Sequence, residues 1–114
     1  MELPLVSTHK GVDKFEEMAM LALVHLGPNA YGVTIRKEIR ERTRRDLSYA
    51  TIYKVLDRLE QKGFVSSFRG ESTPERGGRA KRYFRIEAPG ERALVDERNA
   101  MEQMWADVPM ASEA

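Results

Sequence analysis

The sequence contains no cysteine, a single tryptophan and no long hydrophobic run. The absence of cysteine excludes disulfides, thiolate metal sites and cysteine nucleophiles, and it fits a reducing compartment. The longest apolar run, Met18 to Val24, has seven residues and is too short to cross a bilayer. The opening Met-Glu-Leu-Pro lacks the basic and apolar regions of a signal peptide. We therefore expect a cytoplasmic protein, and 114 residues fit one domain.

Charge is almost balanced over the chain but unevenly distributed along it. Residues 31–85 hold fifteen Lys/Arg and seven Asp/Glu, a net charge of +8, whereas the remainder carries −7. A basic middle segment flanked by acidic ends predicts that one face of the protein binds a polyanion and that the rest of its surface repels it. An ordinary solvated surface is the alternative, and the clustering of the basic residues in one contiguous segment argues against it.

Hydrophobic periodicity predicts four helices and two strands. Asp13 and Glu16 form a variant capping box, which starts a first helix that is apolar on almost every side. A second helix is predicted at 31–43 and a third at 48–63. Residues 64–69 alternate apolar and polar side chains like a strand, and residues 81–86 are a second strand candidate rich in aromatic and β-branched residues. A glycine- and arginine-rich loop lies between them. Pro89 lies in the first turn of a last helix predicted to end at about Val108.

This pattern predicts a fold that is mainly α with a small β-hairpin, namely a winged helix-turn-helix domain plus a C-terminal dimerisation helix. The predicted organisation is a flexible N-terminal arm (1–12), the winged helix-turn-helix domain (13–87), the dimerisation helix (88–108) and a flexible tail (109–114).

The third predicted helix is the most informative segment. Ser48 is suited to the N-cap and Gly63 to the left-handed position after the last turn. One face of the helix is apolar and is expected to be buried, and it consists of Ile52, Val55, Leu56 and Leu59. The opposite face is aromatic and basic, which a helix that docks on DNA requires. That face alone is equally compatible with an ordinary solvated helix. The choice between the two interpretations therefore depends on the segments around the helix.

We predict DNA contacts from this helix and from the hairpin, which is the wing. The predicted residues are Ser48, Tyr49, Thr51, Tyr53, Lys54, Arg58, Arg79, Lys81 and Arg82. Ser48 is chiefly a cap, and the helix N-terminus that it begins can also hold a phosphate. Arg58 is assigned to a phosphate clamp or to a salt bridge. Tyr83 and Phe84 should alternate, one into the core and one out of it.

A narrow apolar stripe on the last helix is typical of a helix–helix seam. The predicted dimerisation residues, taken from the first and last helices, are Met18, Leu21, Leu94, Met101, Met104, Trp105 and Val108. The stripe could alternatively fold back on its own domain. Across a dimer axis, Met101, Met104 and Trp105 could form an apolar cleft for a planar hydrophobic effector, or they could simply close the seam.

Signals for catalysis are weak in this sequence. His25 lies far from a second histidine or a carboxylate pair at ligand spacing, so we expect no metal site there. The Gly77-Gly78 pair lacks the strand-to-helix context of a nucleotide-binding loop, and neither Ser48 nor Ser66 has a base at recognisable spacing. We therefore predict a protein that is not an enzyme and that needs no cofactor.

Four groups of residues resemble the PadR family of bacterial transcriptional regulators, over most of the chain from Phe15 to Ala106. They are Leu21-Ala-Leu23 with Leu26-Gly-Pro28, Ser48-x-x-Thr51-Ile-Tyr53, Leu56-x-Arg58-Leu59-Glu60 with Gly63, and Gly78-Arg-x-Lys-Arg-Tyr-Phe-Arg85. The single short last helix resembles the smaller PadR subgroup.

The resemblance implies a homodimer in which the last helix of one subunit packs on the first helix of the other. It also implies two recognition helices on a palindromic operator in double-stranded DNA, and repression that a small hydrophobic effector relieves. The alternative is a winged-helix dimer that acts as a protein-interaction module, whose basic face would meet an acidic partner.

Overall fold

The computed structural model describes residues 11–70 and 80–113 of the chain. These residues form four α-helices and a two-stranded antiparallel sheet, which confirms the predicted fold class. In chain order the elements are α1 (Lys14–Leu26), α2 (Gly32–Thr43), α3 (Tyr49–Gln61), β1 (Val65–Arg69), β2 (Arg82–Ile86) and α4 (Ala88–Trp105). Short 3₁₀ turns occur at Gly27–Asn29 and Ala111–Glu113. Most of the predicted arm and the loop at 71–79 lie outside the described residues.

Helix α1 begins at the predicted capping box. Asp13 Oδ1 accepts a hydrogen bond from the Glu16 amide at 2.8 Å, and Glu16 Oε1 accepts one from the Asp13 amide at 2.9 Å. Two of the orphan amides at the helix start are thereby satisfied. Gly27 ends the helix with a positive φ of 58°, and Pro28 directs the chain into the 3₁₀ turn.

The core lies where α1, α2 and α3 meet the inner face of the hairpin. The four residues predicted to be buried in α3, from Ile52 to Leu59, are all buried. Buried apolar side chains from the other elements complete this core: Ala19, Met20, Ala22, Leu23, Ala30, Ile35, Ile39, Phe64, Val65, Phe84 and Ala93. The third helix is therefore held firmly along one face, and its opposite face is left to solvent.

The hairpin is fixed to the helices by β2. Val65 pairs with Ile86 and Phe68 with Tyr83 in an antiparallel register. The Phe84 amide donates to the carbonyl oxygen of Ala30 at 2.9 Å, which ties the sheet to the segment between α1 and α2. Phe84 is buried and Tyr83 is only partly covered, so the predicted alternation is confirmed with Phe84 pointing inward.

Helix α4 starts against the base of the hairpin, with Pro89 in its first turn as predicted. Gly90 allows this approach, because a Cβ atom there would lie 2.3 Å from the carbonyl oxygen of Phe64. The predicted end at Val108 is wrong, since the helix stops at Trp105. Ala106 leaves the helical conformation with ψ of 131°, and Asp107 adopts a left-handed backbone with φ of 62°, so Val108 lies outside the helix.

Candidate nucleic-acid interface

The first turn of α3 is organised by Ser48. Its Oγ accepts a hydrogen bond from the Thr51 amide at 3.1 Å and donates to Thr51 Oγ1 at 3.0 Å. Ser48 is therefore the predicted N-cap, and both hydroxyls are oriented by this local pair. Tyr49 beside it is exposed, and Thr51 is partly exposed.

The outer face of α3 carries the predicted base-contacting residues. Tyr53 and Lys54 are exposed in the middle of this face, and Lys54 has no ion pair within residues 11–70 and 80–113. The Tyr53 ring lies 6.3 Å from that of Phe84, which anchors it to the core. A Cβ at Gly32 would lie 2.2 Å from the Tyr53 hydroxyl, so the glycine at the start of α2 makes room for this tyrosine.

Tyr49 is positioned by a partner that sequence reasoning missed. The guanidinium of Arg36 in α2 lies 4.6 Å from the Tyr49 ring centroid, a cation–π distance. Arg36 Nε also donates to Asp46 Oδ1 at 2.9 Å, and this hydrogen bond raises the pKa of Arg36 and lowers the pKa of Asp46. No periodic signal links positions 36, 46 and 49, so only the packing of α2 on α3 brings them together.

Additional basic side chains lie in the middle of α2, at its C-cap and in the turn before α3. Lys37, Arg44 and Arg45 are exposed, and none of them forms a salt bridge in the described part of the chain. Arg44 adopts a left-handed backbone, with φ of 62°, as the C-cap of α2. These residues were counted in the basic segment but were not predicted as DNA contacts. They extend the positive surface beyond the α3 N-terminus.

Arg58 is engaged in the salt bridge that was one of its two predicted roles. Its Nη2 donates to Asp13 Oδ2 at 3.0 Å and its Nε to Glu16 Oε2 at 3.2 Å. Lys62 Nζ donates to the same Glu16 oxygen at 2.8 Å. Arg58 thus connects α3 to the start of α1.

The base of the wing carries two of the three predicted wing contacts. Lys81 is exposed, and its ammonium lies 4.6 Å from the Tyr31 ring centroid. Arg82 Nη2 donates to carboxylates on α3, at 2.8 Å to Glu60 Oε1 and 3.2 Å to Asp57 Oδ1. Arg79, the third, lies outside the described residues. The two adjacent cations therefore have different surroundings, since Lys81 packs on an aromatic ring and Arg82 pairs with acids.

The residues predicted to form the dimer seam fall into two groups. Met18 and Leu94 are partly buried against their own core. The others are exposed in a single protomer: Leu21 at 42 %, Met101 at 37 %, Met104 at 71 %, Trp105 at 56 % and Val108 at 39 %. Phe15 and Val24 add further exposed apolar surface on α1. Beside them, a groove of about 420 Å³ runs between α1 and α4.

The outward face of α3, its capped N-terminus and the basic hairpin define a winged helix-turn-helix of the DNA-binding class. The profile of the transcriptional regulator PadR-like family matches residues 20–96. The chain belongs to this family. It is a DNA-binding transcriptional regulator and, like the other members of this family, it is not an enzyme.

Solved structures of similar regulators support the same conclusion. A transcriptional regulator from Clostridium thermocellum is 26 % identical with a TM-score of 0.67, over 79 % of this chain and 82 % of that one. A PadR-like transcription factor from Bacteroides fragilis is 27 % identical with a TM-score of 0.67, over 78 % and 81 %. A PadR family regulator from Eggerthella lenta is 25 % identical with a TM-score of 0.62, over 76 % and 73 %. No curated protein matches the chain.

Within the described ranges, none of the helices has the combination of length and apolar character that crossing a membrane requires.

Proposed function

We propose that this chain is a homodimeric repressor that binds a palindromic operator and acts in the cytoplasm. The observation that carries the proposal is the outer face of α3, where Tyr49, Thr51, Tyr53 and Lys54 follow a capped helix N-terminus. In helix-turn-helix proteins, the first turns of this helix reach base edges in the major groove. A two-fold dimer would present two such helices, so the operator should contain two inverted half-sites.

The basic surface around α3 is proposed to supply affinity that does not depend on sequence. Lys81 at the wing base, with Arg44 and Arg45 in the turn, would contact phosphates on either side of the groove. Arg79 is assigned the same role from the sequence. Ser48 is proposed to contribute through the amides at the helix N-terminus, since its side chain is committed to the cap.

The DNA proposal is tested by a salt series of binding measurements on two variants. For Lys81→Ala we expect weaker binding to every sequence and a salt slope lower by about one, because one phosphate contact is lost. For Lys54→Ala we expect a changed preference between operator and mutated half-sites. Fluorescence anisotropy with the promoter of the protein's own gene and with random DNA would measure both effects.

Arg92→Ala on α4 is the matched control, because it removes an exposed arginine from outside the basic segment. Its salt slope should equal that of the wild type. Binding of the wild type that is no tighter to promoter than to random DNA would contradict operator recognition. It would favour the alternative in which the basic face meets an acidic protein.

Dimerisation through α1 and α4 is proposed from the apolar surface that one protomer leaves exposed. The C-terminal turns of α4 present Met101, Met104 and Trp105, while α1 presents Leu21 and Val24 beside the groove. Apolar patches at the ends of two helices are complementary when a two-fold axis brings α4 of one subunit onto α1 of its partner.

Trp105→Glu is expected to shift the protein from twice the chain mass of 13.1 kDa to a monomer at micromolar concentration. The reason is that a carboxylate would be buried in an apolar seam without a cation. Sedimentation velocity measures the mass. Gln103→Glu on the opposite side of the same helix turn is the control and should stay dimeric. Equal dissociation of both variants would mean that charge on α4, and not the Trp105 contact, determines assembly.

An effector cleft at Met101, Met104 and Trp105 is proposed only for the dimer. All three side chains are exposed in one protomer, so an enclosed site there needs the second subunit. A planar aromatic ring and flexible thioethers suit a flat hydrophobic compound. The fluorescence of Trp105, the only tryptophan, reports directly on this cleft. Quenching by planar hydrophobic compounds that also release operator DNA would support the proposal, and an unchanged spectrum across a broad panel would oppose it.

A further inference from the structure

Arg82 at the start of β2 is held between the wing and the recognition helix. Its Nη2 donates to Glu60 Oε1 at 2.8 Å and to Asp57 Oδ1 at 3.2 Å, both on α3. The guanidinium carbon lies 4.8 Å from the ring centroid of Phe84, which is itself buried. One edge of the guanidinium therefore meets two carboxylates while its plane packs near an aromatic ring. Such a geometry fixes the side chain in one orientation.

The second oxygen of Glu60 binds the other strand of the hairpin. Ser67 Oγ in β1 donates to Glu60 Oε2 at 2.8 Å. One carboxylate on the last turns of α3 thus holds both β1, through Ser67, and β2, through Arg82. This arrangement constrains the angle between the hairpin and α3, because either strand can move only by breaking a hydrogen bond to Glu60.

The local charge argues against a phosphate as the main partner of Arg82. Arg82 faces two carboxylates, so a phosphate would have to compete with two anions already in contact. Reaching a phosphate would also leave Asp57, which is on the exposed face of α3, unpaired beside a polyanion. Lys81, one residue earlier, has no carboxylate partner in the described part of the chain and carries none of these costs.

We infer that Arg82 is a positioning residue that fixes the wing to the recognition helix through Glu60, and that it is not a phosphate contact. It also shields the carboxylates of Asp57 and Glu60 from the DNA. The inference rests on the proposed DNA binding for its functional consequence, and it replaces the direct DNA contact predicted for Arg82 from the sequence. The geometry on which it depends is a property of the free protein.

A double-mutant cycle between Arg82→Met and Glu60→Ala tests the inference. If Arg82 acts through Glu60, each single change should weaken operator binding roughly tenfold, and the double variant should be little weaker than either. The salt slope should stay at the wild-type value in all three. A direct phosphate contact gives the opposite pattern: Arg82→Met lowers the slope by about one, and Glu60→Ala tightens binding by removing a negative charge. That pattern would overturn the inference.

Hydrogen exchange of the Gly70 amide tests the same link without DNA. This amide donates to the Lys81 carbonyl at 2.8 Å, at the end of the paired strands. Arg82→Met and Glu60→Ala should both accelerate its exchange, and Lys81→Ala should not. Unchanged exchange in Arg82→Met would overturn the positioning role. Faster exchange in a protein that fails to distinguish operator from random DNA would keep the positioning role and contradict the proposed function alone.

Discussion

Replacing Arg58 and Lys62 together by methionine is expected to lower the free energy of unfolding by about 3–5 kcal/mol, because Glu16 would stay buried without a cation. Glu16 is 2 % exposed, and Oε2 of its carboxylate accepts hydrogen bonds from Lys62 Nζ at 2.8 Å and Arg58 Nε at 3.2 Å. The loss is a large share of the stability of an ordinary domain. Urea denaturation at neutral pH and fixed protomer concentration would measure it.

Adding Glu16→Gln to the double variant supplies the control. This third change removes the buried charge, so most of the lost stability should return. Glu16→Gln alone should cost less than the double change, since the side chains of Arg58 and Lys62 are already 40 % and 26 % exposed and can turn to water. A further loss of stability in the triple variant would contradict the role assigned to the Glu16 carboxylate.

The stability of the wild type and of the double variant Arg58→Met, Lys62→Met should change with pH in opposite directions. Burial alone would raise the pKa of Glu16, but hydrogen bonds from Lys62, the Asp13 amide and Arg58 together hold it below its ordinary value of 4.5. The pKa of Glu16 is lower in the folded protein than in the unfolded chain, so ionised Glu16 stabilises the wild type at pH values above its ordinary pKa. This contribution is lost as the pH falls through the folded pKa. Without the cations, burial raises the pKa, so the double variant loses stability as pH rises. The two proteins should therefore converge in acid.

Much of the fold followed from signals that act within one or two helix turns. The capping box at Asp13 and Glu16, the Ser48 cap and the buried stripe of α3 are all local patterns, and the structure confirms each. The end of α4 is predicted too late because Pro109 is the strong helix-stopping residue that follows this segment in the sequence. The chain instead turns earlier, at Asp107, whose left-handed backbone has no strong sequence signature.

The interface was harder to predict because exposed basic residues look alike in a sequence. The sequence predicts Lys54 and Arg82 as DNA contacts, and it leaves Arg58 as either a phosphate clamp or a salt-bridge partner. In the structure Arg58 pairs with Glu16, 42 residues away, and Arg82 pairs with Glu60, 22 residues away. Such pairs form only when distant elements pack together, so periodicity cannot reveal them. The predicted DNA contacts and dimer residues therefore remain predictions. The structure shows that Arg58 and Arg82 pair with carboxylates of their own chain, whereas Lys54 forms no ion pair in the described part of the chain.

Phe84→Ala is expected to lower the free energy of unfolding by about 3–5 kcal/mol, since it deletes a large side chain from a closed core. Phe84 is 1 % exposed, and its ring contacts both Tyr53 on α3 and the guanidinium of Arg82. Its removal therefore leaves a cavity at the junction between the wing and the recognition helix. Thermal or urea unfolding would measure the loss, and operator binding should fall as well because Tyr53 loses its support.

Phe68→Ala is the matched control, because Phe68 lies in the same hairpin but is 44 % exposed. It stacks on Tyr83 with ring centroids 5.9 Å apart, so its removal leaves no enclosed cavity and should cost about 1 kcal/mol. Equal losses in the two variants would mean that hairpin formation itself, and not the packing of the wing on α3, is what Phe84 stabilises. A much larger loss in Phe84→Ala would instead show that the wing and the recognition helix share one core, so that a change in the wing is transmitted to the helix that contacts DNA.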